Sequence, residues 1–145
     1  TIYRKPIVKE FNGKKFFLGH GDGLGPGDHG YKFIKWFFAS PLCQWLFARI
    51  HPNTGIGIAN YWSQKSRLSQ GVETFKGEDN EYLISFIKDK LKEEYFDYFI
   101  FGHRHLPLKI QIGSAWYVNL GEWVNYSTYA VFDGENLELK EYRKP

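Results

Sequence analysis

The sequence predicts an α+β domain, and three observations carry that expectation. Short β-patterned runs occupy both ends of the chain, amphipathic helical spacing fills the middle, and glycine- or proline-bearing turns separate the runs. The 145 residues suffice for one domain with one sizeable core.

Taken in order, residues 2–10 have β character, and Pro6 suggests an edge position because proline cannot donate to a ladder. Asn12-Gly13 is a hairpin turn signal, since both residues tolerate positive φ. Residues 15–20, "KFFLGH", read as the returning strand, ending at His20. Residues 21–30, "GDGLGPGDHG", read as a loop. Residues 31–50 predict helix in two pieces broken before Pro41, with Pro41 as first residue of the second. "HPNTG" at 51–55 is expected to interrupt, and Ile56–Ser69 to form another helix. Glu78–Glu94 carries the clearest helical pattern, with Leu83, Phe86, Ile87, Lys90 and Leu91 at spacings of three and four. Strands are expected at Tyr98–Phe101, Leu108–Ile112, Trp116–Leu120, Thr128–Asp133 and Leu137–Tyr142, read together as a β-meander, with a turn at "DGEN".

Composition narrows the class. Aromatic residues make up 19% and hydrophobic residues 43%, which argues against disorder. The net charge of +3 would suit an anionic ligand, and it equally suits a surface of solvated lysines. Cys43 cannot form an internal disulfide, fits a reducing compartment, and is expected to be a small buried hydrophobe. No signal peptide is visible, and no apolar run approaches the ~20 residues that span a bilayer. The first residue is Thr, so the chain is expected to begin inside a longer protein or to have been processed.

The chemistry-bearing residues cluster at strand ends. His103 and His105 sit in "FGHRHLP", after the apolar run "DYFIF", and His20 follows "FFL" in "GHGD". On a strand two histidines two apart point the same way; in a tight loop they can splay around one centre. Three imidazoles beside glycines suit a divalent metal, zinc among them, with Asp22 as the carboxylate that orients the His20 ring. The residues alone fit equally well two histidines on a polar turn and one satisfied by Asp22. Asp28 reads as a metal ligand, a substrate contact or a turn residue. Glu122 reads first as structural. Arg104 is expected to be exposed and to affect only rim polarity. Trp36, Phe37, Phe38, Leu42, Trp45, Leu46 and Phe47 read first as core.

"GHGD" at 19–22 and "GHRH" at 102–105 resemble the last two motifs of the calcineurin-like metallophosphoesterases. The intervening "GYKFIKWFFASPLCQWLF", "WSQKSR" and the closing "VNLGEW" resemble, more narrowly, the UDP-2,3-diacylglucosamine pyrophosphatases of lipid A synthesis, over nearly all of residues 16–132. The resemblance implies that residues 1–145 are the C-terminal half of a calcineurin-like β-sandwich with a helical cap insertion at about 29–70. It implies metal ligation by His20 and His103 on one ion and His105 on the other, two Mn2+ in the intact enzyme, and substrate contacts from Asp28, Lys65, Ser66 and Arg67. It implies hydrolysis to 2,3-diacylglucosamine 1-phosphate and UMP at the cytoplasmic side of the inner membrane, by a protein peripheral to it, with part of the aromatic block as an acyl-chain chamber. The family's N-terminal motifs, Asp-x-His, Gly-Asp and the Asn-bearing motif, are absent; Asn12 and Asn80 lack the context to replace them. The chain alone is therefore expected to be inactive, with the missing half as its partner, held as a nicked fragment or lost. Other readings are a calcineurin-like phosphoesterase with another substrate, or a non-catalytic lipid- or protein-binding domain.

Overall fold

The computed structural model describes residues 2–3, 5–25, 29–70, 74–75 and 77–142; within these, the side chains of residues 29, 31, 66–70 and 79 are not described. Two compact units result: Thr1–Gly27 together with Thr74–Pro145, and Asp28–Glu73 between them in sequence.

The first unit is built on a five-stranded sheet. Strands β1 (Ile7–Phe11) and β2 (Lys14–Leu18) form an antiparallel hairpin whose turn uses Asn12 at φ 49° and Gly13 at φ 73°. β2 runs parallel to β3 (Tyr98–Phe101), and β3 runs parallel to β5 (Ala115–Leu120). β4 (Pro107–Ile112) pairs antiparallel with β5 at the far edge, giving the order β1-β2-β3-β5-β4. β6 (Thr128–Phe132) and β7 (Leu137–Glu141) make a separate two-stranded sheet.

This sheet order corrects the expected meander. β3 and β5 are neighbours, and β4 lies outside β5 rather than between them. The cause is burial: Ala115, Tyr117, Val118 and Asn119 of β5 are all buried, so β5 requires neighbours on both edges and cover on both faces. β4, with Lys109 and Gln111 exposed, suits an edge.

Alternation along the strands sends adjacent side chains to opposite faces and creates two cores. Phe17, Phe99, Phe101 and Tyr117 face the helix α4 (Tyr82–Glu93), packing with Leu83, Ile84 and Ile87. Phe16, Tyr98 and Val118 face β6 and β7, packing with Leu137, Ala130 and Phe132. The unit is thus helix, sheet, sheet in layers. Ile84, absent from the expected helical stripe, is fully buried, while Phe86 and Leu91 pack at its margin.

The segment expected as one helix, Glu78–Glu94, divides. Glu78–Asn80 forms a 3₁₀ turn, and Glu81 is extended at φ −99°, ψ 108° before α4 begins. Glu81 is also buried. A carboxylate turned inward needs a buried partner, and that partner belongs to the site described below.

The second unit holds α1 (His29–Ala39), α2 (Pro41–Phe47) and α3 (Pro52–Gln70). The break before Pro41 follows from proline's missing N–H and the restriction it places on Ser40. Pro52 opens α3 for the same reason that it suits a first helical position, and the His51 carbonyl accepts from Gly55 N at 3.0 Å. "HPNTG" therefore starts a helix instead of interrupting one.

The aromatic block does not form a closed core. Trp36 is 68% exposed and Leu42 65%, and no residue of α2 is buried. Three helices cannot by themselves enclose so many large side chains. What they form is an apolar pocket of about 440 Å³ lined by Phe37, Phe38, Leu46, Phe47, Ile58 and Trp62. Cys43, expected to be buried, is half-buried on its wall with a free thiol.

Candidate metal centre

The site is built at the ends of the parallel strands β2 and β3. Beyond Leu18 the ladder continues: Gly19 N donates to Ile100 O at 3.1 Å, and Gly102 N donates to His20 O at 3.0 Å. Two glycine-flanked loops are thereby held in register, one bearing His20 and the other His103. Their facing ring nitrogens, His20 Nε2 and His103 Nδ1, stand 3.4 Å apart, with ring centroids 5.2 Å apart and planes at 81°. The Tyr82 ring lies edge-on to His103 at 6.4 Å.

Gly21 explains how the loops come so close. Its φ is +104°, and a Cβ there would stand 3.2 Å from His103 Cβ and 3.3 Å from Phe101 Cβ. A side chain at 21 would both strain the backbone and push the histidine loop away.

The donor set can be tested against a metal by its spacing. Two imidazole nitrogens bound at about 2.05 Å to a tetrahedral ion stand about 3.3 Å from each other. The observed 3.4 Å fits two ligands of one ion. The same spacing allows one neutral ring to donate to the other, so the pair is poised for either state. Among the described residues, no group of three His, Cys, Asp or Glu side chains converges on one point. His20 and His103 are brought together; His105 is exposed and not part of that pair.

His105 lies instead on the side of Glu122. Desolvation pushes the Glu122 carboxyl up, but hydrogen bonds from the Asn125 side chain, Asn125 N and Val124 N outweigh it, and the His105 charge adds to them, so its pKa lies below the ordinary value. Asn125 N donates at 2.9 Å and Asn125 Nδ2 at 2.7 Å, making Glu122 the organiser of the turn before β6.

Arg104 departs most from expectation. It is not a rim residue: its guanidinium pairs with the Glu81 carboxylate, with side-chain exposures of 13% and 3%. It also donates from Nη2 to Thr74 O at 3.1 Å. The loop setting suggested exposure, but the Glu81 carboxylate, turned inward ahead of α4, draws the side chain in.

Asn119 was absent from the sequence-based candidates. It is fully buried on β5 and donates from Nδ2 to the carbonyls of Arg104 and Leu106, the latter at 2.7 Å. An asparagine inside the apolar run of "AWYVNL" was the available signal, because a buried amide needs partners.

The other candidates are placed as follows. Asp22 is half-buried in the turn after His20. Lys65 is exposed on α3 of the second unit; Ser66 and Arg67 follow it on α3, and their side chains, like all of Asp28, lie outside the described residues. Among the described residues no helix is long and apolar enough to cross a membrane.

A mixed sheet displaying an imidazole pair at the carboxyl ends of adjacent parallel strands belongs to the α+β proteins that place binding groups at strand ends, and the chain's relatives are hydrolases. In particular, it is related over nearly its whole length to the UDP-2,3-diacylglucosamine hydrolases. It is 33% identical to the protein of that name from Porphyromonas gingivalis over an alignment of 154 residues, covering 96% of this chain and 59% of the relative. A Pseudomonas fluorescens protein of the same name is 23% identical, over 98% of this chain and 58% of its own length. One from a Shewanella species is 24% identical over 88% and 53%. The chain therefore spans little more than half the length of these curated relatives. No family model matches it.

Proposed function

We propose that the chain is the C-terminal portion of a calcineurin-like metallophosphoesterase that hydrolyses UDP-2,3-diacylglucosamine. The observation that carries this reading is the His20–His103 pair, with nitrogens 3.4 Å apart, in a chain related to hydrolases so named.

The reaction adds water across the pyrophosphate, breaking one phosphoanhydride P–O bond to leave 2,3-diacylglucosamine 1-phosphate and UMP. A divalent metal pair, Mn2+ in this reading, would supply Lewis-acid polarisation and a nucleophile at neutral pH. His20 and His103 would hold one ion and His105 the other. The carboxylate ligands would come from the remainder of the protein, so the chain by itself is inactive. Asp28, Lys65, Ser66 and Arg67 contact the diphosphate and sugar, where cationic and hydroxyl donors suit phosphate oxygens. The apolar pocket of the helical unit receives acyl chain, and its exposed aromatics touch the cytoplasmic face of the inner membrane.

The test is hydrolysis of UDP-2,3-diacylglucosamine by the full-length protein with Mn2+. Release of UMP, abolished by His20→Ala and by His105→Ala, supports the reading. Turnover of soluble phosphodiesters alone would assign another phosphoesterase substrate. Undiminished turnover with all three histidines changed to alanine would remove the site from the chemistry.

A further inference from the structure

We infer that Arg104 is a positioning residue, whose side chain and backbone are both held by buried partners so that the histidines flanking it are held in fixed directions. The inference rests on the reading of His20, His103 and His105 as ligands.

The residue is held at two points. The guanidinium pairs with Glu81 ahead of α4 and donates to Thr74 O at 3.1 Å. The Arg104 carbonyl accepts from Asn119 Nδ2 on β5, and the same amide nitrogen reaches Leu106 O at 2.7 Å. Arg104 sits between His103 and His105 in sequence. Fixing its Cα, carbonyl and side chain leaves the residues on either side little freedom to rotate.

Two features point beyond simple packing. The Arg104–Glu81 pair is almost fully desolvated, and buried ion pairs add little net stability over an apolar replacement while constraining geometry. Among the described residues Asn119 Oδ1 has no hydrogen-bond partner although it is buried, a cost that an apolar residue at this position would avoid. What the amide supplies in return is an NH2 group facing two carbonyl oxygens, an arrangement the flipped amide could not make. Lysine could not replace the arginine, since its single ammonium lacks the planar fork that engages a carboxylate and a carbonyl together.

The experiment uses the chain with labelled histidine rings. The readouts are the nuclear Overhauser contact between the His20 and His103 rings, the melting temperature, and Zn2+ affinity. The variants are Arg104→Gln and the double variant Arg104→Gln/Glu81→Gln. Arg104→Gln is expected to lose both ring contact and melting temperature, because it leaves the Glu81 charge buried. The double variant removes that charge. It is expected to recover the melting temperature without recovering the ring contact, and both variants should bind Zn2+ about 10- to 100-fold more weakly than wild type. A ring contact that survives in either variant, or returns with stability in the double variant, overturns the inference. If the contact behaves as expected but no form binds Zn2+, the positioning role stands and the metal reading of the site fails.

Discussion

His20 and His103 meet ring to ring with 3.4 Å between their nitrogens, although 83 positions separate them in the chain. The meeting depends on two parallel strands in direct hydrogen-bonded register, Leu18 opposite Ile100, with the ladder prolonged by the glycines that precede each histidine. Two imidazoles so placed share one point in space, and that point can be probed with a metal alone.

Titration of the chain with Zn2+ is expected to show weak binding that falls at least about tenfold in His20→Ala and in His103→Ala, since a single imidazole loses the chelate. His51→Ala, on an exposed residue of the second unit, should leave the affinity unchanged. Calorimetry, or Co2+ absorption as a substitute probe, measures this; equal affinities across the set would show that the pair is not a ligand.

Gly21→Ala should cost about 1–3 kcal/mol in urea unfolding, because the residue would hold a φ of +104° with its Cβ 3.2 Å from His103 Cβ. The same change should separate the two rings and weaken Zn2+ binding. An alanine variant with wild-type midpoint and affinity would show that the loops have room to spare.

Asp97 makes stability pH-dependent at the opposite end of β3. Burial pushes its carboxyl up, but bonds from Lys15 N at 2.8 Å, Tyr95 Oη at 2.9 Å and Lys14 Nζ at 3.2 Å bring it below the ordinary value. A carboxylate whose folded pKa is depressed contributes stability above the unfolded value of about 3.9, and that contribution is lost as pH falls through the folded value. Asp97→Asn is therefore expected to lower stability at pH 7 by about 1.5–3 kcal/mol and to flatten the loss below about pH 4. Urea unfolding from about pH 2.5 to 7, a window that spans the unfolded value, reads both; parallel curves for the two proteins would exclude Asp97 as the source.

The exposed aromatics of the helical unit should dock on lipid. Trp36 and Trp45 are 68% and 52% exposed, and burying one large apolar side chain is worth about 1.5–3 kcal/mol. Binding to vesicles of phosphatidylethanolamine and phosphatidylglycerol, followed by sedimentation, should weaken about tenfold or more in Trp36→Ser/Trp45→Ser. Unchanged sedimentation would leave the aromatics without a membrane role.

What residue order alone determined was local. The hairpin at Asn12-Gly13, the break at Pro41, the helix through Leu83 and Ile87, and the five C-terminal strands each announce themselves within a few residues, through turn chemistry and periodicity. "GHGD" and "GHRH" likewise display the imidazoles, and with the aromatic segment between them point to the UDP-2,3-diacylglucosamine hydrolases that the chain resembles over most of its length. Those signals lie in residue type and spacing, which sequence displays directly. The tertiary structure decided everything that depends on which distant segments meet. It put β5 rather than β4 beside β3, because β5 is buried along most of its length and needs neighbours on both edges, whereas β4 is not. It drew Arg104 inward, because Glu81, 23 positions away, is buried and needs a cation. It made Asn119 the anchor of the histidine loop, because only the folded sheet brings a β5 amide beneath the carbonyls of Arg104 and Leu106. Charge pairing and buried hydrogen bonding act between neighbours in space, and for these residues the neighbours are set by the packing of the sheet and helix, not by the order of the chain.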